Sequence, residues 1–156
     1  MKILGIDPGT ATTGFGLIAK DGAKLKSLDY GVISTSKDKE MHNRLEVLYD
    51  DINSLIKQHK PEVIVVEKLF FTNNITTAMT VSQARGVVLL AASKNKVPIA
   101  EYTPLQVKMA VSGYGKATKK QVQEMVKRIL KLDSIPKPDD AADALAIAIC
   151  HSANRI

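Results

Sequence analysis

The amino-acid sequence predicts an α/β fold with a mixed five-stranded sheet, three antiparallel strands followed by parallel strands, flanked by helices. Extended segments with short turns fill residues 2–35, and the apolar spacing then changes to steps of three and four residues. A continuous β-branched run, Val63–Val66, follows that helical segment. A strand reached through a helical crossover pairs in parallel with its neighbour. The length of 156 residues predicts a single domain over residues 1–156.

The N-terminal part is predicted to be an antiparallel meander. Its three strands cover residues 2–7, 14–20 and 24–35. Asp21 and Gly22 form a strong hairpin signal between the second and third strands. Apolar residues at helical spacing then predict an amphipathic helix over residues 40–59, which Pro61 ends.

The rest of the chain alternates between helices and strands. After the buried strand 63–66, the predicted elements are a helix over 75–95, a strand over 98–100, and helices over 104–111, from 119 onward and over 139–150. Asn73 and Asn74 can cap the first of these helices, and Thr118 with Gln121 forms a capping-box pattern. The helix over 75–95 is apolar nearly all round, which favours a homodimer contact through it.

Net charge, cysteine content and the length of the apolar segments indicate the kind of partner and the cellular compartment. The net charge of +6 and the pI of about 9.4 are compatible with a polyanionic partner. The single cysteine, Cys150, excludes an intramolecular disulfide and suits a reducing compartment. The sequence shows neither a secretory leader nor an uninterrupted apolar run long enough to span a bilayer, so we expect a soluble cytoplasmic protein without membrane contact.

Carboxylates follow two predicted strands. Asp7 ends the first strand and Glu67 ends the strand 63–66, so parallel pairing would bring them to one edge of the sheet, where ligands bind in open sheets. The first turn of the last helix carries Asp139, Asp140 and Asp143, and acids there are often only dipole partners and caps. Asp140 and Asp143 are three residues apart and Asp139 and Asp143 are four apart, so either pair would share one face of the helix and spacing does not choose between them. A capping role for Asp139 favours Asp140 with Asp143.

Four of these acids, Asp7, Glu67, Asp140 and Asp143, together predict a metal site. No cluster of Cys and His suggests zinc, and carboxylate oxygens select hard cations such as Mg²⁺ or Mn²⁺. Two such ions can hold the attacking and leaving oxygens in phosphodiester hydrolysis. They also make the joint ionisation of neighbouring carboxylates tolerable.

The stretch from Leu105 to Lys131 is strongly basic. It holds seven Lys and Arg residues against one acid, Glu124. A solvated helix face explains such an excess about as well as a phosphate-binding surface does. The candidates for phosphate contacts are Lys108, Lys116, Lys119 and Lys120.

In combination, five motifs resemble the RuvC family of Holliday-junction resolvases, in the same order over nearly the whole chain. They are Gly5–Thr10, Gly14–Gly16, Val66–Phe70, Ser82–Gly86 and Asp140–Ala146. The resemblance implies a ribonuclease-H-like fold, a homodimer, and Mg²⁺-dependent, symmetric nicking of four-way DNA junctions. It also implies branch-migration motor proteins as partners.

The resemblance also assigns roles to single residues. The family's catalytic acids fall on Asp7, Glu67, Asp140 and Asp143. Phe70 matches an aromatic residue that the family places against the junction bases, where stacking is physically reasonable. Lys108 and Lys119 match basic residues near the family's active site.

Three other interpretations compete with this one. The Asp-Pro-Gly-Thr turn also resembles the phosphate loop of actin-like ATPases and sugar kinases, but those proteins have two such lobes. An RNA-processing nuclease of the same fold, of the YqgF type, would use the same acids. A non-catalytic junction-binding protein would need the lysines but not four convergent carboxylates.

Overall fold

The computed structural model describes residues 1–9, 11–68 and 74–154. The strands and helices in these ranges are β1 (Lys2–Asp7), β2 (Thr12–Asp21), β3 (Lys24–Ser34), α1 (Met41–His59), β4 (Val63–Glu67), α2 (Ile75–Lys94), β5 (Ile99–Tyr102), α3 (Pro104–Ser112), α4 (Lys119–Ile129) and α5 (Asp139–Asn154).

The strands form one mixed sheet in the order β3-β2-β1-β4-β5. β1 pairs with β2 and β2 with β3 in antiparallel register, whereas β1–β4 and β4–β5 are parallel. The predicted fold class is therefore confirmed. Ile6 pairs with Val66, so Asp7 and Glu67, the last residues of β1 and β4, lie at the same edge of the sheet.

Several element boundaries differ from the prediction. β2 begins at Thr12 rather than at residue 14, because Thr12 and Thr13 pair with β3, and the turn after Asp7 is correspondingly shorter. β5 extends to Tyr102 because it continues to pair with β4. α5 begins at Asp139 itself, so the interpretation of this residue as the N-cap is wrong. The amide of Ala141 already bonds to the carbonyl of Pro138, at 2.9 Å.

The helix starts follow their capping residues. The side chain of Asn74 accepts a hydrogen bond from the Thr77 amide, and Thr118 forms the predicted capping box with Gln121. A second capping box, Thr103 with Gln106, opens α3 and was not anticipated.

Glycines let α5 lie directly on β1 and β2. A Cβ atom on Gly14 would come within 2.0 Å of the Asp140 carbonyl oxygen, and one on Gly5 within 2.1 Å of the Ala144 carbonyl oxygen. At the far end of α5, the Lys20 ammonium donates a 2.6 Å hydrogen bond to the Ser152 carbonyl. This close approach brings the first turn of α5 to the edge of the sheet where Asp7 lies.

The two faces of the sheet bury separate apolar clusters. One cluster joins the sheet to α3, α4 and α5, and the other joins it to α1 and α2. The acid-bearing edge lies between β1, β4 and the start of α5, and the α3–α4 pair flanks it on the same face as α5.

α2 combines a buried face with an exposed apolar face. Ala84, Val88 and Ala91 are fully buried. Over the most hydrophobic 18-residue stretch of α2, however, only 28% of the residues are buried. By length and composition α2 could cross a membrane. The prediction from the sequence missed this, because it rested only on uninterrupted runs of apolar residues. That is weak evidence for a span, since the core helix of a soluble protein passes the same test.

Candidate active site

Three carboxylates from two elements converge at one edge of the sheet. Asp7 ends β1, Asp140 lies in the first turn of α5, and Asp143 follows it three residues later in the same helix. One oxygen from each of the three side chains lies within 4.8 Å of the other two. The contact depends on Gly14, which pairs with Asp7 and leaves room for the backbone of Asp140 above it.

Glu67 stands beside this group without belonging to it. It ends β4 and lines the same cleft as Asp7 and Asp143, but the group of three within 4.8 Å does not include it. Burial raises the pKa of Glu67 and the nearby charge of Asp143 raises it further, whereas Lys108 lowers it. Three of the four acids predicted from the sequence, Asp7, Glu67 and Asp143, thus line one cleft, and Asp140 joins Asp7 and Asp143 in the close triplet at its side.

The carboxylates repel one another in a partly buried setting. Burial, followed by the charges of Asp143, Asp140 and Glu67, raises the pKa of Asp7 from its ordinary 3.8 to about 8. Burial also raises the pKa of Asp143, although the Lys119 ammonium opposes this rise. Without a cation among them, these side chains therefore resist simultaneous ionisation near neutral pH.

Lys119 points into the acid cluster from the first residue of α4. Its ammonium nitrogen lies 3.5 Å from Oδ2 of Asp143 and 3.7 Å from Oδ2 of Asp139. Burial lowers the pKa of Lys119, but the charges of Asp143 and Asp139 outweigh this effect and raise it. A positive charge is therefore fixed at the wall of the cleft.

Three of the acids, Asp7, Glu67 and Asp143, and two lysines line a cleft of about 300 Å³. Its lysines are Lys108 and Lys119, and Pro104 and Val107 of α3 form part of its apolar wall. Lys120 lines a different groove with Ser112 and Tyr114, and Lys116 is exposed in the turn before α4. Phe70 lies outside the described residues.

Sequence reasoning missed two polar contacts near this edge. The Thr12 hydroxyl donates a 2.6 Å hydrogen bond to Oδ2 of Asp140. The Tyr102 hydroxyl lies 2.9 Å from Nδ1 of His151, and Tyr102 pairs with Glu67 in the sheet. No sequence signal could have found the contact between Thr12 and Asp140, because they lie 128 positions apart.

The donor set fits a hard divalent cation. Asp7, Asp140 and Asp143 offer oxygen atoms only, and these atoms are close enough together to surround one ion. Burial and the charges of neighbouring carboxylates raise the pKa values of Asp7 and Asp143, and a cation bound between these groups would oppose that rise.

Comparison with known proteins identifies the family. The family model described as "Crossover junction endodeoxyribonuclease RuvC" matches residues 3–151. The chain belongs to the RuvC family. It is 57% identical over 152 residues to a RuvC protein of Desulfitobacterium hafniense, covering 97% of this chain and 92% of the relative. It is 54% identical over 151 residues to one of Fusobacterium nucleatum, covering 97% and 80%.

Solved structures agree with this assignment. The T. thermophilus RuvC in complex with a Holliday junction substrate superposes with a TM-score of 0.93 at 38% identity, covering 98% of this chain and 93% of that one. The yeast mitochondrial resolvase Ydc2 shares the fold, with a TM-score of 0.69 at 16% identity over 95% of this chain and 76% of that one. The resemblance stated from the sequence motifs is confirmed.

Proposed function

We propose that this protein is an endodeoxyribonuclease that resolves four-way DNA junctions by hydrolysing phosphodiester bonds. The observation that carries the proposal is the cluster of Asp7, Asp140 and Asp143, with one oxygen from each within 4.8 Å of the others, in a chain of the RuvC family. The T. thermophilus relative was solved with a Holliday junction substrate. Neither a pure binding protein nor an actin-like ATPase accounts for this combination.

The proposed cofactor is Mg²⁺, two ions per site, with Mn²⁺ as a substitute. Asp7, Asp140 and Asp143 would hold one ion, and Glu67 would contribute to a second. When bound, such ions polarise the scissile phosphate and neutralise charge on its oxygens. The protein contributes a rigid frame for the ligands, since Asp7 and Glu67 end neighbouring strands and Asp140 and Asp143 belong to one helical turn.

The lysines of the cleft are proposed to hold the DNA backbone and to stabilise developing negative charge. Lys108 and Lys119 line the cleft itself, so they are the candidates for the scissile phosphate. Lys116 and Lys120 lie further out along the same α3–α4 region and are candidates for flanking phosphates. We also propose that Phe70, from the segment after β4, stacks on a junction base.

We propose that the protein acts as a homodimer through α2. Three of its apolar side chains are exposed at helical spacing, with exposed fractions of 66% for Ile75, 60% for Met79 and 54% for Leu90. Steps of four and eleven residues place them on one face, opposite the buried Ala84 and Val88. A two-fold axis between two active sites would match the symmetry of a four-way junction and explain paired nicks.

Sedimentation velocity tests the dimer. The Met79→Glu variant should sediment as a monomer, because it places a charge on the proposed interface, and paired nicking should be lost with it. Leu28→Glu is the matched control, since Leu28 is an exposed apolar residue on β3, with an exposed fraction of 41%, away from α2. A parent protein that stays monomeric with and without junction DNA would contradict the proposed interface.

The central experiment compares three substrates in the presence of Mg²⁺: a synthetic four-way junction, the matching linear duplex and a structured RNA. We expect paired symmetric nicks in the junction only, and loss of cleavage with retained junction binding in Asp7→Asn. Preferential cleavage of RNA would move the protein to RNA processing with the same acids. Junction binding without cleavage under any divalent cation, over a panel of junction sequences, would leave only a binding role.

Three further assignments complete the proposal. The described residues contain one continuous sheet with helices on both faces, which suits a single nuclease domain over 1–156. Cys150 is a free, buried thiol, which suits the reducing cytoplasm. Motor proteins that move the junction are proposed as partners because a resolvase acts on a branch point that can migrate.

A further inference from the structure

One row of residues on β2 sets the position of the first turn of α5. Thr12, Gly14 and Gly16 alternate along the strand and therefore face the same side of the sheet. A Cβ atom on Gly14 would lie 2.0 Å from the Asp140 carbonyl oxygen, and one on Gly16 would lie 2.8 Å from Leu145. The helix thus rests on two bare backbone positions, and Thr12 is the member of this row whose side chain can reach the start of α5.

The Thr12 side chain makes a directed contact there. Its hydroxyl donates a hydrogen bond of 2.6 Å to Oδ2 of Asp140. That length is typical of a hydroxyl bound to an ionised carboxylate, a strong type of hydrogen bond. The bond occupies one lone-pair site of the carboxylate and leaves its other sites for a cation.

The backbone that carries Thr12 is itself fixed. Thr12 pairs with Ser34 of β3. The neighbouring Thr13 has an exposed fraction of 1%. Its hydroxyl donates a 2.9 Å hydrogen bond to the Gly9 carbonyl and accepts a 3.3 Å hydrogen bond from the Gly9 amide. The hydroxyl of Thr12 is therefore held at a definite place relative to the turn after Asp7.

We infer that Thr12 is a positioning residue that fixes the orientation of the Asp140 carboxylate for cation binding. The inference rests on the proposed function, because it deepens the role of one proposed metal ligand. Hydrogen-bond partners of metal ligands commonly change metal affinity by about 10–100-fold. Thr12 acts through Asp140 and need not touch DNA or the cation.

Direct titration of the protein with Mn²⁺, without DNA, tests the inference. Thr12→Val keeps the shape of the side chain but removes the donor, so we expect Mn²⁺ affinity to fall about 10–100-fold. Thr12→Ser keeps the hydroxyl and should stay within about threefold of the parent protein. Calorimetry gives the affinity, and the electron paramagnetic resonance spectrum of bound Mn²⁺ reports the change in ligand geometry.

Asp140→Asn separates failure of the inference from failure of the proposed function. If Asp140→Asn leaves Mn²⁺ binding unchanged, Asp140 is not a ligand and the proposed metal site is wrong. If Asp140→Asn weakens binding but Thr12→Val does not, the inference about Thr12 is overturned. In the Asp140→Asn background, Thr12→Val should cause no further loss, because the two residues act through one hydrogen bond. Additive losses would show that Thr12→Val acts through general destabilisation.

Discussion

The charge balance of the acid cluster predicts an unusual stability effect for Asp7→Asn. In the absence of divalent cations, the folded protein holds the proton of Asp7 up to about pH 8, whereas the unfolded chain releases it near 3.8. The free energy of unfolding must therefore fall as the pH rises between these values. Asparagine resembles the protonated carboxyl, so the variant should lack this loss and be more stable than the parent protein at pH 8.

The size of the effect follows from the shift of the pKa. A change from 3.8 to about 8 corresponds to an upper limit of about 6 kcal/mol at about 1.4 kcal/mol per pH unit. Asp7 keeps some contact with solvent, and local relaxation reduces the penalty, so we expect the variant to gain about 2–3 kcal/mol at pH 8. At pH 4.5 the two proteins should differ by less than about 1 kcal/mol.

Urea denaturation in EDTA at several pH values between 4.5 and 8.5 measures this difference. Excess Mg²⁺ should reverse the order, because the parent protein gains the free energy of cation binding and the variant has lost a ligand. Asp50→Asn, at an exposed position on α1, is the control and should leave the pH dependence unchanged. The reasoning is refuted if Asp7→Asn is less stable than the parent in EDTA at pH 8, or if the difference does not grow with pH.

Three other substitutions test separate parts of the structure. Gly14→Ala should cost about 3 kcal/mol or more, measured by urea denaturation, because its Cβ atom would lie 2.0 Å from a carbonyl oxygen of α5. Tyr102→Phe should cost about 1 kcal/mol in the same assay, because it removes the hydrogen bond to His151. Lys120→Gln should lower the slope of log K for junction binding against log salt by about 0.9, measured by fluorescence anisotropy, through loss of one phosphate contact.

Each of these three predictions has an outcome that would contradict it, and Gly14→Ala also has a comparison variant. Gly31→Ala on β3 should cost less than Gly14→Ala, because its Cβ atom would meet only the ring of Phe15, at 3.2 Å. Equal losses would argue against the close approach of α5 to β2. A Tyr102→Phe variant as stable as the parent would mean that water replaces the bond to His151 at no cost. An unchanged salt slope in Lys120→Gln would place Lys120 outside the DNA path.

Much of the fold could be predicted because its signals are local. The turn after Asp7, the hairpin at Gly22, the caps at Asn74 and Thr118 and the β-branched run of β4 each act over a few residues. The boundary errors at β2 and β5 have one cause. Strand length depends on pairing with a neighbouring strand, as Thr12 pairs with Ser34, and a single segment does not contain that information.

The meeting of the acids at one edge was predictable for a related reason. A strand that ends in a carboxylate delivers it to the edge of the sheet, so parallel pairing of β1 and β4 was enough to bring Asp7 and Glu67 together. Spacing in a helical turn allows both pairs, so the choice of Asp140 with Asp143 over Asp139 rested on a capping role for Asp139 and, independently, on the family motif. The capping role assumed for Asp139 was wrong, since α5 begins at that residue and its carboxylate lies beside Lys119.

The sequence by itself determined the order of strands and helices, the family, and the residues that end up at the acidic edge. Only the tertiary structure decided how close each one lies: that Asp7, Asp140 and Asp143 form a triplet with Glu67 beside it, and that the Lys119 ammonium lies 3.5 Å from Oδ2 of Asp143. The physical reason is that local patterns fix the backbone over a few residues. Distances between elements depend on packing, here on how closely α5 approaches β2 where Gly14 has no side chain.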